Sequence, residues 1–446
     1  MTVLTAAPRA LPRASVADTL AAARDVVLPT LSKGVIVRRP RVVGLAERMN
    51  LDTRAVRRMQ ALHEAYGDGP LMLRIPGRSH ALVLCAEDAW RMLRETPFPF
   101  SPDTAEKHAA LAHLEPDVSL ISEGADRADR RRFNDRALDS DRPVHRMADA
   151  LLRPVWQEMG VLGVTARARG ALAWDEFITA WYAMVRRIVL GDAARDDHAL
   201  TDMLRTLRAD ANWVVLPGRP RLLRRVHDRL AAHLDRAEPG SLAARIADLP
   251  RTGRTAPTHQ VAHWLFAFDP GGMASFRALA LILAHPEAAA RGRAEAMQAD
   301  GLERLPFLRA CILESLRLWP TTPAILRETR TETEWRGAVM PANTSVTLYA
   351  PFFHRDDRRF PFADRFHPDL WTGRADSPEF PGGLPFVPFS GGPGFCPARN
   401  LVPMLGAAAL AELLRTLRLG PPDRLHPGRP MPGVLDNYTI AFPVAG

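Results

Sequence analysis

Phe389-Ser390-Gly391-Gly392-Pro393-Gly394-Phe395-Cys396-Pro397-Ala398-Arg399-Asn400-Leu401 is the stretch on which the reading of this chain turns. Three glycines and a proline predict a tight loop poor in side chains, with Pro393-Gly394 suited to a type II turn. Beyond it Leu401, Leu405, Ala408, Leu410, Leu413 and Leu414 recur at helical spacing. Cys396 is therefore expected at a helix start, with Pro397 at the first helical position. A helix N-terminus favours an anion, so the thiol is expected to ionise readily. A thiolate in a glycine-lined slot, which a flat ligand can approach closely, suits the axial position of a haem iron. The plainer alternative is a buried cysteine beside an ordinary Gly-Pro loop.

Working outward, a helix is predicted from about Pro306 to Trp319 and carries Glu314 and Arg317. Three residues apart, the two share a face and can pair. Leu313, Leu316 and Leu318 suggest surroundings in which an unpaired charge is costly. Taken alone, such a pair is usually solvated helix decoration. After it, in order, come a Pro-rich segment with Arg365, in Phe362-Ala363-Asp364-Arg365-Phe366-His367-Pro368, and then the cysteine loop.

The remaining chain sets the frame. Its 446 residues are 47% hydrophobic, enough for a sizeable core. No run approaches the roughly 20 apolar residues of a membrane span, and Arg9 and Arg13 interrupt any signal-peptide core. A soluble, cytoplasmic protein is expected, with no membrane partner. Cys85, Cys311 and Cys396 are too scattered for a disulfide framework or a zinc site, and the first two are expected in the core. The net charge is +9, yet only Lys33 and Lys107 are lysines among 59 basic residues. That arginine bias points to coding background, and no nucleic-acid motif accompanies it. A basic patch for an acidic protein partner fits the charge.

Leu71 to Leu84 reads as two strands joined at Pro76-Gly77. From about Glu87 to Trp319 the pattern is helical, broken at Pro143, Pro217-Gly218, Pro239-Gly240 and Pro286. Strands return at Trp335 to Pro341 and Ser345 to Tyr349. The expected fold class is mainly α with a small β region (α+β), as one domain over 1–446. Residues 1–65 form an N-terminal extension and first helix.

With these motifs in order, the chain resembles the cytochrome P450 family of haem-thiolate monooxygenases. Phe389, Gly392 and Cys396 match its cysteine loop, Glu314 and Arg317 its Glu-x-x-Arg helix, and Arg365 the third member of its buried charge network. The resemblance runs from about Tyr66 to the end. It implies haem b, with the iron held by Cys396 and the haem lying between the long central helix and the helix after the cysteine loop. It further implies propionate contacts from Arg127, Arg131 and Arg327; a solvated Arg-rich face is the alternative for the first two. Gly394 stands where the family usually has Arg or His, so one propionate contact is expected to be missing. Ala398 replaces a usual glycine.

The family's central helix carries an acid followed by two threonines. Here the stretch reads Phe266-Ala267-Phe268-Asp269-Pro270-Gly271-Gly272. Asp269 takes the acid slot and is the expected catalytic group for proton delivery, while Pro270 and Gly271 replace the threonines. Ser275 is expected out of reach. Pro270 leaves the Phe266 carbonyl without a helical donor and is expected to make the helix bulge; a tolerated kink is the alternative. Phe266, Ala267 and Ile325 are the expected substrate-pocket residues. Further pocket segments are 98–122, 211–220, 321–325 and 435–438.

The resemblance implies an oxidoreductase, a monooxygenase that oxidises a small organic molecule; the soluble format and the composition add the expectation of a natural-product intermediate of secondary metabolism. It would use dioxygen and electrons from a separate ferredoxin or flavodoxin with its reductase, since no flavin or iron–sulfur motif is present. The missing threonines keep open a non-hydroxylating haem-thiolate enzyme, driven by peroxide or performing coupling, dehydration or isomerisation. A non-catalytic haem binder is the third reading.

Overall fold

A computed structural model describes residues 9–112, 114–212, 218–298, 301, 303–372 and 385–445. At its centre runs a helix from Pro257 to Ala284. Pro257 sits at its first turn, and His285 before Pro286 ends it in extended conformation. Residues 271–284 are buried on every side, as a core helix hydrophobic all round must be. Around it pack the helices Trp174–Leu190, Pro306–Leu318 and Leu401–Thr416. This is the one described helix long and apolar enough to cross a bilayer, and most of it lies inside the protein.

A second core lies under a five-stranded mixed sheet, in the order Leu71–Met72, His80–Leu82, Ser345–Tyr349, Ala324–Thr329, Phe100–Ser101. The strand Ser345–Tyr349 is buried throughout. Its neighbour Ala324–Thr329 alternates, and period 2 puts Ile325, Arg327 and Thr329 on one buried face. The first two strands meet through the turn at Pro76-Gly77, where Gly77 takes a φ of 70°. The N-terminal segment holds more structure than one helix: Val16–Ala22, Leu28–Ser32, Pro40–Arg48 and Leu51–Tyr66 are all helical. A short strand at Arg9–Ala10 pairs with Ala338–Met340. Cys85 and Cys311 are buried, Cys311 fully so.

Candidate functional site

The cysteine loop is pressed under the helix Ala86–Arg94. A Cβ on Gly391 would stand 3.1 Å from the Trp90 ring, and one on Gly392 would run into the Leu93 carbonyl. Ser390 and Gly392 take positive φ, of 62° and 58°. The type II turn expected at Pro393-Gly394 is instead a 3-10 turn, Gly392–Gly394, because the left-handed step falls earlier, at Gly392. The Cys396 N–H donates to the Phe389 carbonyl at 2.9 Å and closes the loop. The following helix begins at Leu401, so Cys396 precedes it by a turn. That turn is tied to the turn just after the helix Gly124–Ala137: Ser140 Oγ donates to the Pro397 carbonyl at 2.7 Å and Asn400 Nδ2 to the Ser140 carbonyl at 3.1 Å. Arg131 donates to the Phe395 carbonyl, and Arg131 and Arg399 both lie over the Phe395 ring, at 4.3 and 3.9 Å.

The ready ionisation expected of Cys396 does not follow from the protein alone. Burial pushes the thiol up, and the Ala398 N–H with Arg131 and Arg399 offsets this only in part. With the helix starting later, its dipole acts from further away. A bound metal cation would make a thiolate there, since a coordinating thiol loses its proton outright.

Above the loop stands a cluster of cations without counter-ions. Arg327 is 3% exposed; its Nε donates to Thr96 Oγ1 at 2.9 Å and Nη1 to the Leu326 carbonyl at 2.9 Å. Arg127 is 8% exposed and donates to the Ser119 carbonyl at 3.1 Å. Lys107 Nζ reaches the carbonyls of Pro102 and Leu326 at 2.6 and 2.9 Å. None of the three has a carboxylate partner among the described residues. Burial and mutual repulsion push Arg127 and Arg327 down to about 10 and Lys107 well below the usual lysine range. Arg131 is paired with Asp135 at 2.8 Å, yet its Nη2 is buried without a partner.

Such a set fits a ligand that brings two carboxylates, as a haem does. Gly394 belongs to this corner: a Cβ there would lie 2.5 Å from Arg327 Nη2. The Arg327 guanidinium thus fills the space that a side chain at Gly394 would enter. Lys107 escaped the sequence reading; its signal was to be one of two lysines in an arginine-rich chain.

The family model described as Cytochrome P450 matches residues 269–437, which hold both the Glu314/Arg317 helix and the cysteine loop. Residues 269–437 are a cytochrome P450 domain. Among its relatives is the cyclooctat-9-en-7-ol 5-monooxygenase of Streptomyces melanosporofaciens, 31% identical over 182 residues, 37% of this chain and 40% of that protein. Probable cytochrome P450 4s3 of Drosophila melanogaster is 31% identical over 156 residues, 34% of this chain and 31% of that protein. The matched stretches thus span well under half the length of these curated relatives. The whole fold is similar to the retinoic acid bound cyanobacterial CYP120A1, with a TM-score of 0.69, 17% identity, and coverage of 86% of this chain and 93% of that one. Cytochromes P450 bind haem b, and the cationic corner and Cys396 suit it.

Glu314 and Arg317 of this P450 are wholly buried and paired, Nε–Oε2 at 2.8 Å and Nη2–Oε1 at 2.6 Å. The expected third member is corrected. Arg365 is exposed and enters only through its carbonyl, which accepts from Arg317 Nη2 at 2.8 Å. The Glu314 carboxylate has no vacancy for a second guanidinium, because the His367 N–H and Trp371 Nε1–H fill its remaining sites at 2.8 and 2.9 Å. Arg317 also donates to the carbonyls of His354 and Ala363, both at 2.8 Å.

On the central helix, Asp269 is not a free carboxylate. Arg208 Nη1 donates to its Oδ2 at 2.9 Å and the Tyr182 hydroxyl to Oδ1. Burial pushes Asp269 up, and Arg208 and Tyr182 oppose this. The helix stays α-helical through Pro270, so the expected bulge does not form. The Phe268 carbonyl instead accepts from Trp181 Nε1 at 3.0 Å, and Gly271 and Gly272 are packed against Trp181. Ser275 Oγ turns back to the Gly271 carbonyl at 2.8 Å.

Phe268 is in the core, whereas Phe266, Ala267 and Pro270 are half-buried. Ile325 is buried on the sheet face that carries Arg327. Residues 435–438 are tied to the central helix, since Arg277 donates to Asn437 Oδ1 at 3.0 Å and to the Leu435 carbonyl at 3.3 Å. Of the expected pocket segment 211–220, residues 213–217 lie outside the described residues. Cys396, Asp269 and His263 are surrounded by protein yet keep accessible surface, about a quarter for the last two, as side chains facing an internal cavity do.

Proposed function

We propose that the protein is a haem-thiolate monooxygenase of the cytoplasm. It oxidises a small organic molecule of natural-product type with dioxygen, taking electrons from a separate ferredoxin or flavodoxin and its reductase. The observation that carries this reading is the pairing of Cys396 with a buried cationic corner that has no protein counter-ion. In this reading Cys396 is the axial ligand, and Arg127, Arg131, Arg327 and Lys107 hold the propionates. Phe389 and Gly392 shape the loop. Glu314 and Arg317 lock the segment leading into it, which makes them structural. Phe266, Ala267 and Ile325 line the substrate side. When bound, the haem supplies dioxygen activation and the oxidation of a C–H bond. The Streptomyces relative, named as a cyclooctat-9-en-7-ol 5-monooxygenase, supports a small organic substrate.

Asp269 moves protons through its hydroxyl neighbour. Tyr182 donates to Oδ1, and burial holds the phenol far above its usual range, so it stays protonated while Arg208 anchors the other oxygen. A second reading, peroxide-driven or non-hydroxylating chemistry, is favoured by one observation. Neither Pro270 nor Gly271 offers a hydroxyl, and both Asp269 oxygens are engaged. Turnover with dioxygen, a ferredoxin and its reductase is to be compared with turnover with hydrogen peroxide. Faster product formation in the first supports the monooxygenase; product only in the second assigns the other chemistry.

A further inference from the structure

His263 lies one turn before Phe266, on the face of the central helix where Phe266, Ala267 and Pro270 are likewise only half-buried, with the Phe266 ring edge-on at 5.7 Å. Its Nδ1 is 2.5 Å from Oε2 of Glu115, which reaches it from the segment after the helix Ala105–Leu111. Glu115 is 1% exposed, and its Oε1 is buried without a partner. A carboxylate so placed needs a compensating charge. Two other imidazoles stand near, His227 from the helix Pro220–Arg236 and His259 one turn back, stacked 4.0 Å apart. Burial pushes His227 down to about 4 and lowers His259 as well, so neither carries the proton. Asp117 lies 3.6 Å from His259 and is paired with Arg130 at 2.7 Å. The charge that balances Glu115 is therefore on His263.

The other ring nitrogen of His263, Nε2, has no hydrogen-bond partner among the described residues, while the side chain keeps 24% of its surface accessible. Among the described residues, the other charges beside it are Arg208 and Asp269, which neutralise each other. The wall is thus electrically balanced, with one spare N–H donor. A charged ligand would bring an uncompensated charge into it; a neutral oxygen acceptor would not.

We infer that His263, held by Glu115, donates a hydrogen bond to a neutral carbonyl-type oxygen of the substrate and so sets which end of the substrate points away from Cys396. The inference rests on the haem reading above and adds the polar function its substrate carries. Burial lowers the basicity of His263 and Arg208 opposes a further charge, but Glu115 outweighs both and the imidazole is pushed up. The donor is present below that raised value and lost as pH climbs through it.

The test uses the haem-loaded protein and 1-alkylimidazoles, whose nitrogen binds haem iron and gives a Soret shift. Each chain length is compared with the same chain ending in a methyl ketone and in a carboxylate. At the length that reaches His263, the ketone should bind roughly tenfold or more tightly than the alkyl chain, the gain expected of a hydrogen bond to a charged donor. That gain should vanish in His263→Phe, and in the unmodified protein the ketone-to-alkyl ratio, in which the titration of the imidazole head cancels, should fall as pH rises above the ordinary histidine range. Equal ketone and alkyl binding at every length overturns the inference. So does a ketone gain that survives in His263→Phe, or a preference for the carboxylate. Should the variant fold poorly, the pH series decides alone. Absence of any imidazole shift would instead overturn the haem reading itself.

Discussion

A single missing Cβ shapes the cofactor corner. Arg327 occupies the space beside Gly394, so Gly394→Ala pushes a methyl group to within 2.5 Å of its guanidinium. The fold should survive, because the far end of an arginine can swing, but the propionate grip should loosen. Transfer of haem to apomyoglobin is expected to run several-fold faster in Gly394→Ala than in the unmodified protein. At Cys396 the expected loss is complete: Cys396→Ser should abolish the strongly red-shifted Soret band of the reduced carbon-monoxide complex, and a surviving band would remove Cys396 as ligand. For Asp269→Asn, Tyr182 loses its acceptor charge and Arg208 its counter-ion. Dioxygen-dependent turnover should fall roughly 10²–10⁴-fold, as for loss of a proton-transfer group, with peroxide-driven turnover much less affected. An equal fall in both assays would give Asp269 a positioning role.

Between the helix Pro306–Leu318 and the Pro-rich loop after it, one carboxylate gathers four hydrogen bonds. Removing either charge strands the other in a dry site. Glu314→Gln or Arg317→Ala should cost on the order of 3–5 kcal/mol in chemical denaturation. Arg365→Ala should stay within about 0.5 kcal/mol, because the loop needs only its carbonyl; a loss as large as that of Arg317→Ala would restore its side chain to the network. On the central helix, Gly271→Thr looks like a repair of the missing hydroxyl. Its Cβ would stand 2.8 Å from Val402 and 3.3 Å from Trp181, so the variant should melt lower rather than gain coupling. These cases also show what the sequence carries. The ends of the central helix are written in Pro257 and His285-Pro286, and the Glu314–Arg317 pair in its spacing. Which atom of Arg365 engages is not, because spacing places a residue and not its side chain. The partners of Asp269 were equally hidden, for Tyr182 and Arg208 sit on other helices far back in the chain.

Across the whole molecule, acid should act first on buried imidazoles. His354 is fully buried; its Nε2 accepts the Val387 N–H at 2.9 Å, and its carbonyl accepts from Arg317. Burial and the nearby Arg317 charge hold it down to about 3. The unfolded chain, with an ordinary histidine near 6.5, binds that proton earlier. Stability is thus full above about pH 6.5 and declines towards pH 3, by about 1.4 kcal/mol per pH unit for this group alone. Denaturant titrations at about pH 7 and about pH 5 should differ by at least that order, and His354→Gln, if it folds, should narrow the difference. Because Val387 leads into the cysteine loop, haem should leave before the helices melt. The cationic corner has a practical outcome for anyone producing the protein. Lys107 and Arg127, the proposed propionate holders, are also cleavage points for trypsin, and an acidic guest would relieve their repulsion. Cells starved of haem precursor should therefore yield chains that trypsin nicks within 107–127, while well-fed cultures yield chains that resist it, so a brief digest reads out cofactor loading before any spectrum is taken.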